Sequence, residues 1–327
     1  MLRPVPETPA VSVVVPASAA RDITCAIDSV FAQTMSGFEL IIVRDGAPDS
    51  ADLRAALSRY TSRIRSVELT KNRGAAVARN AGIAAARGRY IAFLDADARW
   101  YPDFLDRQVS YLDDHPQCAL VCAEAHIIGE SPLAGHRFIE RTPSNSAVTL
   151  LSLVEQRCNV ILSTVVARRT VVMNAGMFDE GLRRGQDFDL WLRLALKGAT
   201  LEYQPIVLGE RRVGRDGFSG SAVAELEQAL NVLDRFGRRH QLDAQTRTAL
   251  RVRTMRLVDR LEIEQAKQRI LEGNFAAAQY HFAATRERPL KMRLAILAMR
   301  IAPRIVRAVY RHAFSGRSVP VLADSVR

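Results

Sequence analysis

The chain has 327 residues, of which 48% are hydrophobic and 25% charged, a balance that excludes a wholly disordered or fibrous protein. The formal net charge is +11, and it is unevenly placed. Residues 1–220 hold 26 basic and 25 acidic side chains, whereas residues 221–327 hold 20 and 10. No stretch of about 18 apolar residues and no apolar segment near the N-terminus occurs, so we expect neither a transmembrane helix nor a signal peptide.

Strands and helices alternate over the first two thirds of the chain. Runs of β-branched and other apolar residues predict strands, and apolar residues repeating every three or four positions predict helices. Predicted strands cover residues 11–16, 38–43, 64–69, 89–97, 118–129, 162–168 and 201–207. Predicted helices cover residues 21–33, 52–60, 74–86 and 187–197. This alternation is typical of βαβ units, so we expect an α/β fold with a mostly parallel sheet. Pro205 predicts that the last strand lies at the sheet edge.

Beyond about residue 220 the pattern is helical. Predicted helices cover residues 222–236, 246–272, 275–285 and 290–314. Pro303 is expected to kink or split the last of them, and Gly273 to end the second. We therefore expect an N-terminal tail (residues 1–10), an α/β domain (11–215) and a basic α-helical C-terminal region (216–327).

The four cysteines predict buried, reduced thiols in a cytosolic protein. Cys118 and Cys122 lie in an apolar, strand-like run, and no nearby His or Cys pair completes a zinc site.

Two carboxylates, Asp95 and Asp97, end the predicted strand 89–97. Ligands bind at the carboxyl ends of strands in α/β folds, and carboxylates two residues apart can face one divalent cation. Oxygen ligands favour Mg²⁺ or Mn²⁺ over Zn²⁺. The sequence has neither the glycine pattern of a dinucleotide-binding fold nor that of a P-loop, which disfavours both.

Two further segments carry candidate binding residues. Asp45 follows the second predicted strand, where it either shapes the turn with Gly46 or accepts a hydrogen bond from a nucleotide base. Lys71, Arg73 and Arg79 accompany the turn and helix that follow, and they either face phosphate or ribose or are simply solvated.

The order of these motifs resembles a family 2 glycosyltransferase of the GT-A fold. The matching segments are VSVVVPAS, ELIIVRDGAPD, LTKNRGAAVARNAGIAAARGRYIAFLDADA and AGMFDEGLRRGQDFDLWLRLALKGA. They span about residues 10–215, and the C-terminal helices lie outside the resemblance.

The resemblance implies a role for each matching residue. Pro16 and Ala17 form the first turn beside the nucleotide base, Asp45 binds that base, Arg79 lies on the donor side, and Asp95 and Asp97 hold the ribose and the metal-bound diphosphate. Asp187 is the general base that deprotonates the acceptor hydroxyl, and Gln186 and Trp191 lie on the acceptor side.

Three positions depart from the family pattern. Arg44 stands where an Asp is usual, and Gln186 replaces a Glu. The His that often follows the last core strand is missing, so Arg211, Arg212 or Arg215 is expected to bind phosphate there. The sequence also lacks Q-x-x-R-W, which argues against a processive polysaccharide synthase.

The resemblance implies an inverting, non-processive enzyme that uses Mn²⁺ or Mg²⁺. The donor would be a nucleoside diphosphate sugar, with UDP favoured over GDP or dTDP, and the acceptor a hydroxyl in cell-surface glycan, polysaccharide or glycolipid assembly. The alternative is a non-catalytic sugar-nucleotide or protein-binding module of the same fold. A nucleotidyltransferase is disfavoured because no Gly-rich loop with a Lys follows the first strand.

The last predicted helices have the pattern of an interfacial amphipathic helix. Arginines 300, 304, 307 and 311 share one face, and Leu297, Ile301, Ile305 and Val309 share another. We expect residues 290–317 to contact anionic lipid, which places the protein in the cytoplasm, peripherally on the inner face of the cytoplasmic membrane. The alternative is that the apolar row packs on the catalytic domain. Nucleic acid is not expected, because aromatic residues are few.

Overall fold

The computed structural model describes residues 9–17, 23–46, 51–130, 133–140, 144, 147–213, 222–286 and 290–314. The chain divides into two compact units, one of Met1–Ile128 and Leu133–Arg212, the other of Gly129–Pro132 and Val213–Arg327. The predicted boundary at residues 215 and 216, most of the predicted tail, and Arg215 and Arg317 lie outside the described residues. Among the helices that are described, none is long and apolar enough to span a bilayer.

The first unit is built on one eight-stranded sheet. Its strands are β1 (Val11–Ala17), β2 (Phe38–Asp45), β3 (Arg65–Leu69), β4 (Tyr90–Phe93), β5 (Ala98–Trp100), β6 (Cys118–Gly129), β7 (Val165–Arg168) and β8 (Thr200–Val213). The spatial order is β3-β2-β1-β4-β7-β6-β8-β5. The first four strands in this order are parallel, as predicted. The pairs β4–β7, β6–β7 and β5–β8 are antiparallel, so the second half of the sheet corrects the expectation of a mostly parallel one.

Two predicted strands take a different form. The predicted strand 89–97 is two elements, because β4 ends at Phe93 and the chain turns at Asp95–Asp97 before β5. The predicted edge strand 201–207 extends to Val213 as β8, which lies between β6 and β5. Pro205 is exposed in the first half of this strand, before the residues 209–211 that pair with β5, so it lies where a missing donor costs little, as expected for an edge.

Helices cover both faces of the parallel half. The helices of this unit are α1 (Ile23–Phe31), α2 (Ala51–Ser58), α3 (Ala75–Ala85), α4 (Phe104–Asp114), α5 (Leu150–Val154), α6 (Arg169–Asn174) and α7 (Gln186–Leu196). One face of β1 packs Val13 and Val15 into a core with Ile23 and Ile27 of α1. On the opposite face α3 lies so close that a Cβ on Gly82 would be 2.4 Å from Cγ1 of Val14. The small residues of α3 thus allow close approach to β1.

The second unit consists of helices in the part of the chain that is described. They are α8 (Ala222–Arg239), α9 (Ala244–Glu272), α10 (Phe275–Ala284), α11 (Leu290–Ile301) and α12 (Pro303–Phe314). Gly273 ends α9 with a φ of 87°, as predicted, and the side chain of Asn274 caps α10. Pro303 splits the last predicted helix in two, because it has no N–H to donate to the preceding turn.

The cysteines are all free thiols. Cys118, Cys122 and Cys158 are buried, and burial raises the pKa of Cys118 to about 11. Cys25 is exposed, which corrects the expectation that all four are buried.

A buried carboxylate, Glu124 on β6, fastens the segment after that strand to the sheet. It accepts hydrogen bonds from the backbone N–H groups of Phe138 (2.9 Å) and Ile139 (3.0 Å) and from the hydroxyl of Tyr203 on β8 (2.7 Å). Burial, followed by the hydrogen bond to Glu124, raises the pKa of Tyr203, so its hydroxyl remains a donor. Glu124 therefore has a structural role in the fold.

We expect Glu124→Gln to lower the free energy of unfolding by about 1–3 kcal/mol, because its new NH₂ group would face donors instead of accepting from them. Denaturant unfolding measures the loss. The exposed Glu227→Gln is the matched control and should change stability by less than about 0.5 kcal/mol. Equal effects of the two substitutions would contradict the structural role of Glu124.

Candidate functional site

Three parallel strands end at one edge of the sheet. Ala17, the last residue of β1, pairs with Arg44 of β2, and Val14 pairs with Phe93, the last residue of β4. The predicted donor residues Pro16, Ala17, Asp45 and Asp95 therefore follow neighbouring strand ends, where α/β folds bind ligands. Ala17 is buried and Pro16 half-buried.

Asp95 is held by two side chains from other parts of the unit. Nη2 of Arg79 lies 2.7 Å from Oδ1 of Asp95, and the hydroxyl of Ser163 donates to Oδ2 at 2.8 Å. Burial acts to raise the pKa of Asp95, but the charges of Arg79 and Arg211 and these hydrogen bonds outweigh it and lower the pKa. Asp95 is therefore anionic at neutral pH.

Arg79 is predicted to lie on the side of the site that binds the sugar donor, and one of its N–H groups makes no hydrogen bond within the described structure. The side chain is 9% exposed, and its Nε is buried with no hydrogen-bond partner among the described residues. Buried donors are normally paired, so the unpaired Nε beside Asp95 is unusual, but its burial keeps it away from the open surface of the site.

Asp97 lies in the exposed turn between β4 and β5. Partial desolvation and then the charge of Asp95 raise its pKa, while Arg211 acts in the opposite direction. Arg211 is close because it pairs with Ala98, the residue after Asp97, across β5 and β8. One strand end thus carries two carboxylates and an adjacent guanidinium.

The site fits a divalent cation that arrives with phosphate. No group of three His, Cys, Asp or Glu side chains that could hold a metal occurs in the described part of the chain. Asp95 already accepts from Arg79 and Ser163, which leaves Asp97 the more available ligand. Mg²⁺ is commonly held by one or two carboxylates, waters and substrate phosphates rather than by an all-protein cage. The two aspartates match that pattern.

Asp45 is 3% exposed and already bonded. Its two carboxylate oxygens accept the backbone N–H groups of Arg73 and Gly74, each at 2.8 Å. These bonds hold the loop that leads into α3, the helix of Arg79. The structure therefore gives Asp45 a loop-positioning role, and recognition of a base by Asp45 stays a prediction. The neighbouring Arg44 forms an ion pair with Glu68 at 2.8 Å.

The predicted acceptor-side residues lie on α7. Asp187 is half-buried in the first turn of the helix. Gln186 is buried and donates from Nε2 to the carbonyl of Arg183 at 2.7 Å. Trp191 is 2% exposed, and its indole N–H lacks a partner among the described residues. A buried indole does not line an open surface, so the acceptor-side role of Trp191 stays a prediction.

The segment before Asp187 is held by contacts that the sequence did not reveal. Asn80, next to Arg79, donates to the carbonyl of Phe178 (2.9 Å) and accepts from the N–H of the same residue (3.0 Å). The ion pair Asp189–Arg193 (2.8 Å) secures the tight turn before Phe178, since Arg193 also donates to the carbonyl of Met177 at 2.6 Å. These contacts tie the segment leading to Asp187 to the helix of Arg79.

Among these contacts and the hydrogen bond between Ser163 and Asp95, only the ion pair Asp189–Arg193 has a local sequence signal. The spacing of Asp189 and Arg193, four residues apart on a helix, is typical of an ion pair. Asn80 and Ser163 meet partners far away in the chain, so no local pattern predicts their contacts.

Comparison with known proteins places the chain in a family. The model described as "Glycosyl transferase family 2" matches residues 12–172. The amylovoran biosynthesis glycosyltransferase AmsE of Erwinia amylovora is 30% identical over 193 residues, which cover 58% of this chain and 70% of that protein. The chain belongs to glycosyltransferase family 2.

Other relatives of this family 2 chain are longer. An uncharacterized glycosyltransferase of Rickettsia conorii is 33% identical over 175 residues, which cover 53% of this chain and 28% of that protein. The chain thus spans well under a third of that relative, and the match lies in a shared domain.

Solved structures share the GT-A fold. The mannosyltransferase PcManGT from Pyrobaculum calidifontis, in complex with GDP-Man and Mn²⁺, superposes with a TM-score of 0.60 and 19% identity, over 97% of this chain and 90% of that one. S. aureus TarS 1–349 in complex with UDP-GlcNAc superposes with a TM-score of 0.59 and 17% identity, over 93% and 92%. At this identity the likeness shows the fold.

Gly46, the residue after Asp45, lies against the backbone of the loop that leads into α3. Its φ is 50°, and a Cβ there would lie 1.7 Å from the carbonyl carbon of Lys71. We expect Gly46→Ala to cost about 3 kcal/mol or more, because backbone strain and a clash with the main chain add. Gly198→Ala is the matched control, since Gly198 also has a positive φ but no atom within 4 Å of a Cβ, and it should cost about 1–2 kcal/mol. Thermal unfolding of both variants distinguishes the clash from strain alone, and equal losses would refute the clash.

Proposed function

We propose that this family 2 chain is an inverting, metal-dependent glycosyltransferase. It would move a sugar from a nucleoside diphosphate sugar, with UDP the favoured carrier, to a hydroxyl acceptor in cell-surface glycan, polysaccharide or glycolipid assembly. The observation that carries this proposal is the cluster of Asp95, Asp97, Arg79 and Arg211 at the carboxyl ends of the strands.

The comparisons support the donor class. TarS was solved with UDP-GlcNAc, and PcManGT with GDP-Man and Mn²⁺. The name of AmsE assigns it to amylovoran biosynthesis. These proteins favour a nucleotide-sugar donor for the present chain, and the sugar itself is left open.

On the donor side, positive charge would stabilise the leaving diphosphate. Asp97, with Asp95 beside it, would hold Mn²⁺ or Mg²⁺, which when bound neutralises charge as the bond to the sugar breaks. Arg79 would act on the donor side by holding Asp95, with which its guanidinium is paired at 2.7 Å. Arg211 lies beside the aspartates where the resemblance led us to expect a His, and we assign it to the diphosphate.

The acceptor side supplies a base. Asp187 would take the proton of the acceptor hydroxyl as that oxygen attacks the anomeric carbon. A single displacement, with the base on the face opposite the leaving group, inverts the anomeric centre. We propose that this takes place in the cytoplasm, on acceptors presented at the inner face of the cytoplasmic membrane.

The second candidate is a non-catalytic sugar-nucleotide or protein-binding module. Arg44 favours it, because this residue replaces the usual Asp and is paired with Glu68. Release of free sugar from UDP-sugars and GDP-sugars distinguishes the candidates, since a pure binding module leaves every donor intact.

We expect Asp97→Ala and the double variant Asp95→Ala/Asp97→Ala to abolish transfer and to weaken UDP binding in Mn²⁺. Because Asp97 is exposed, the single variant should fold normally. Calorimetry with UDP, in Mn²⁺ and in EDTA, measures the metal-dependent part of binding, and the exposed Asp114→Ala is the control. The metal role is wrong if the double variant, or the wild type in EDTA, keeps full turnover.

We expect Asp187→Asn to slow transfer by about 10²–10⁴-fold, the range for loss of a general base. Donor affinity should stay nearly unchanged, because Asp187 acts on the acceptor. Steady-state kinetics with donor binding measured separately tests both statements, with Asp114→Asn as the control. Normal turnover combined with a large loss of donor affinity would refute the assignment.

A further inference from the structure

Helices α11 and α12 have an inner apolar face that is already occupied. Met292 and Met299 are buried in a cluster with Ile270 of α9 and Phe282 of α10, and Ile296, Val306 and Tyr310 pack against it. Arg307 also faces α9, where its Nε donates to the carbonyl of Leu271 at 3.0 Å. The two helices are thus fixed on α9 and α10 through one side.

A second apolar face of the same helices is exposed. We call it the outer row, and it consists of Leu294 (55% exposed), Leu297 (52%), Ile301 (74%), Ile305 (66%) and Val309 (58%). These residues are spaced by three or four positions, which places them on one side of a helix. A contiguous exposed apolar surface of this kind marks an interaction site.

The outer row continues through the break at Pro303. The N–H of Ala302 donates to the carbonyl of Ala298 at 2.8 Å, and the carbonyl of Ala302 accepts the N–H of Val306 at 3.1 Å. Helical hydrogen bonding therefore persists on both sides of Pro303. Ile301 and Ile305, the two most exposed members of the row, flank the break.

Positive charge borders the outer row. Among the side chains of α11 and α12 that are described, the exposed arginines are Arg293, Arg300, Arg304 and Arg311. The sequence of residues 290–314 contains no Asp or Glu. This face therefore combines an apolar strip with cations alone.

We propose that the outer row and its bordering arginines dock the protein on an anionic lipid bilayer. The apolar residues would enter the boundary between headgroups and acyl chains while the arginines contact lipid phosphates, the arrangement of an interfacial helix. A second copy of this chain is disfavoured as the occupant, because pairing two such faces would bring arginine rows together without carboxylates. The purpose of docking, delivery of a membrane-borne acceptor, rests on the proposed function, but the docking itself does not.

Vesicle sedimentation of the full chain, without any donor or metal, tests this proposal. We expect binding to phosphatidylglycerol vesicles at low salt, weaker binding at high salt, and little binding to phosphatidylcholine vesicles. Arg300→Gln/Arg304→Gln should weaken binding to phosphatidylglycerol by about 25-fold, from about fivefold for each arginine. Ile301→Ser/Ile305→Ser should also weaken it, although these exposed positions leave the inner face intact.

Two matched control variants carry the same kinds of substitution at exposed positions of the first unit. Arg54→Gln/Arg87→Gln deletes two exposed arginines, and Met173→Ser/Ile206→Ser deletes two exposed apolar side chains. Both controls should bind vesicles like the wild type, with circular dichroism confirming that all variants fold.

The proposal is overturned if the wild type stays in the supernatant with phosphatidylglycerol, or if outer-row variants and controls bind alike. It is also overturned if analytical ultracentrifugation shows a dimer that the outer-row variants lose while vesicle binding persists, since the face would then join two copies. Donor binding is measured on the same variants, so that failure of glycosyl transfer and failure of docking remain distinguishable.

Discussion

A carboxylate that is partly withdrawn from water at a strand end is stabilised by a paired cation, and in the first unit Arg79 forms that ion pair with Asp95. Arg79 reaches Asp95 only because α3 is held in place from three sides. Asp45 binds the loop at its start, Gly82 brings the helix against β1, and Asn80 joins it to the segment before α7. Helix α3 therefore links the proposed donor side to the helix that carries Asp187. Substitution of Asp45, Gly82 or Asn80 should change the position of Arg79 relative to Asp95.

The parallel half of the sheet could be predicted from the sequence, and so could the positions of Asp45, Asp95 and Asp97 after its strands, because each depends on local pattern. β1, β2 and β4 are apolar runs, and Asp95 and Asp97 follow directly after one of them. The antiparallel half of the sheet was harder to predict. β5 has three residues, too few for a periodic pattern, and the position of β8 inside the sheet depends on partners that its own residues do not specify. The bonds of Ser163 to Asp95 and of Asn80 to Phe178 join positions 68 and 98 residues apart, and nothing local marks them.

The C-terminal helices show a second limit of pattern analysis. The spacing of Leu297, Ile301, Ile305 and Val309 correctly predicts that they share a face. It does not predict that Met292 and Met299 supply another apolar face and that this one is buried. Both sets repeat at helical intervals, so only the packing of α9 and α10 decides which set is covered. Periodicity therefore identifies both apolar faces, and the packing within the second unit shows which of them α9 and α10 cover.

Gly82 sets the distance between α3 and β1, because it has no side chain where the helix meets Val14. Arg79 lies about one turn earlier on the same helix. The distance between α3 and β1 at position 82 therefore sets how far the guanidinium of Arg79 extends over the strand ends. Any larger side chain there would tilt or lift the helix and move the guanidinium away from Asp95. If Arg79 has the donor-side role proposed above, the residue at position 82 would influence donor binding from the opposite side of the helix contact, without belonging to the cluster of charged side chains.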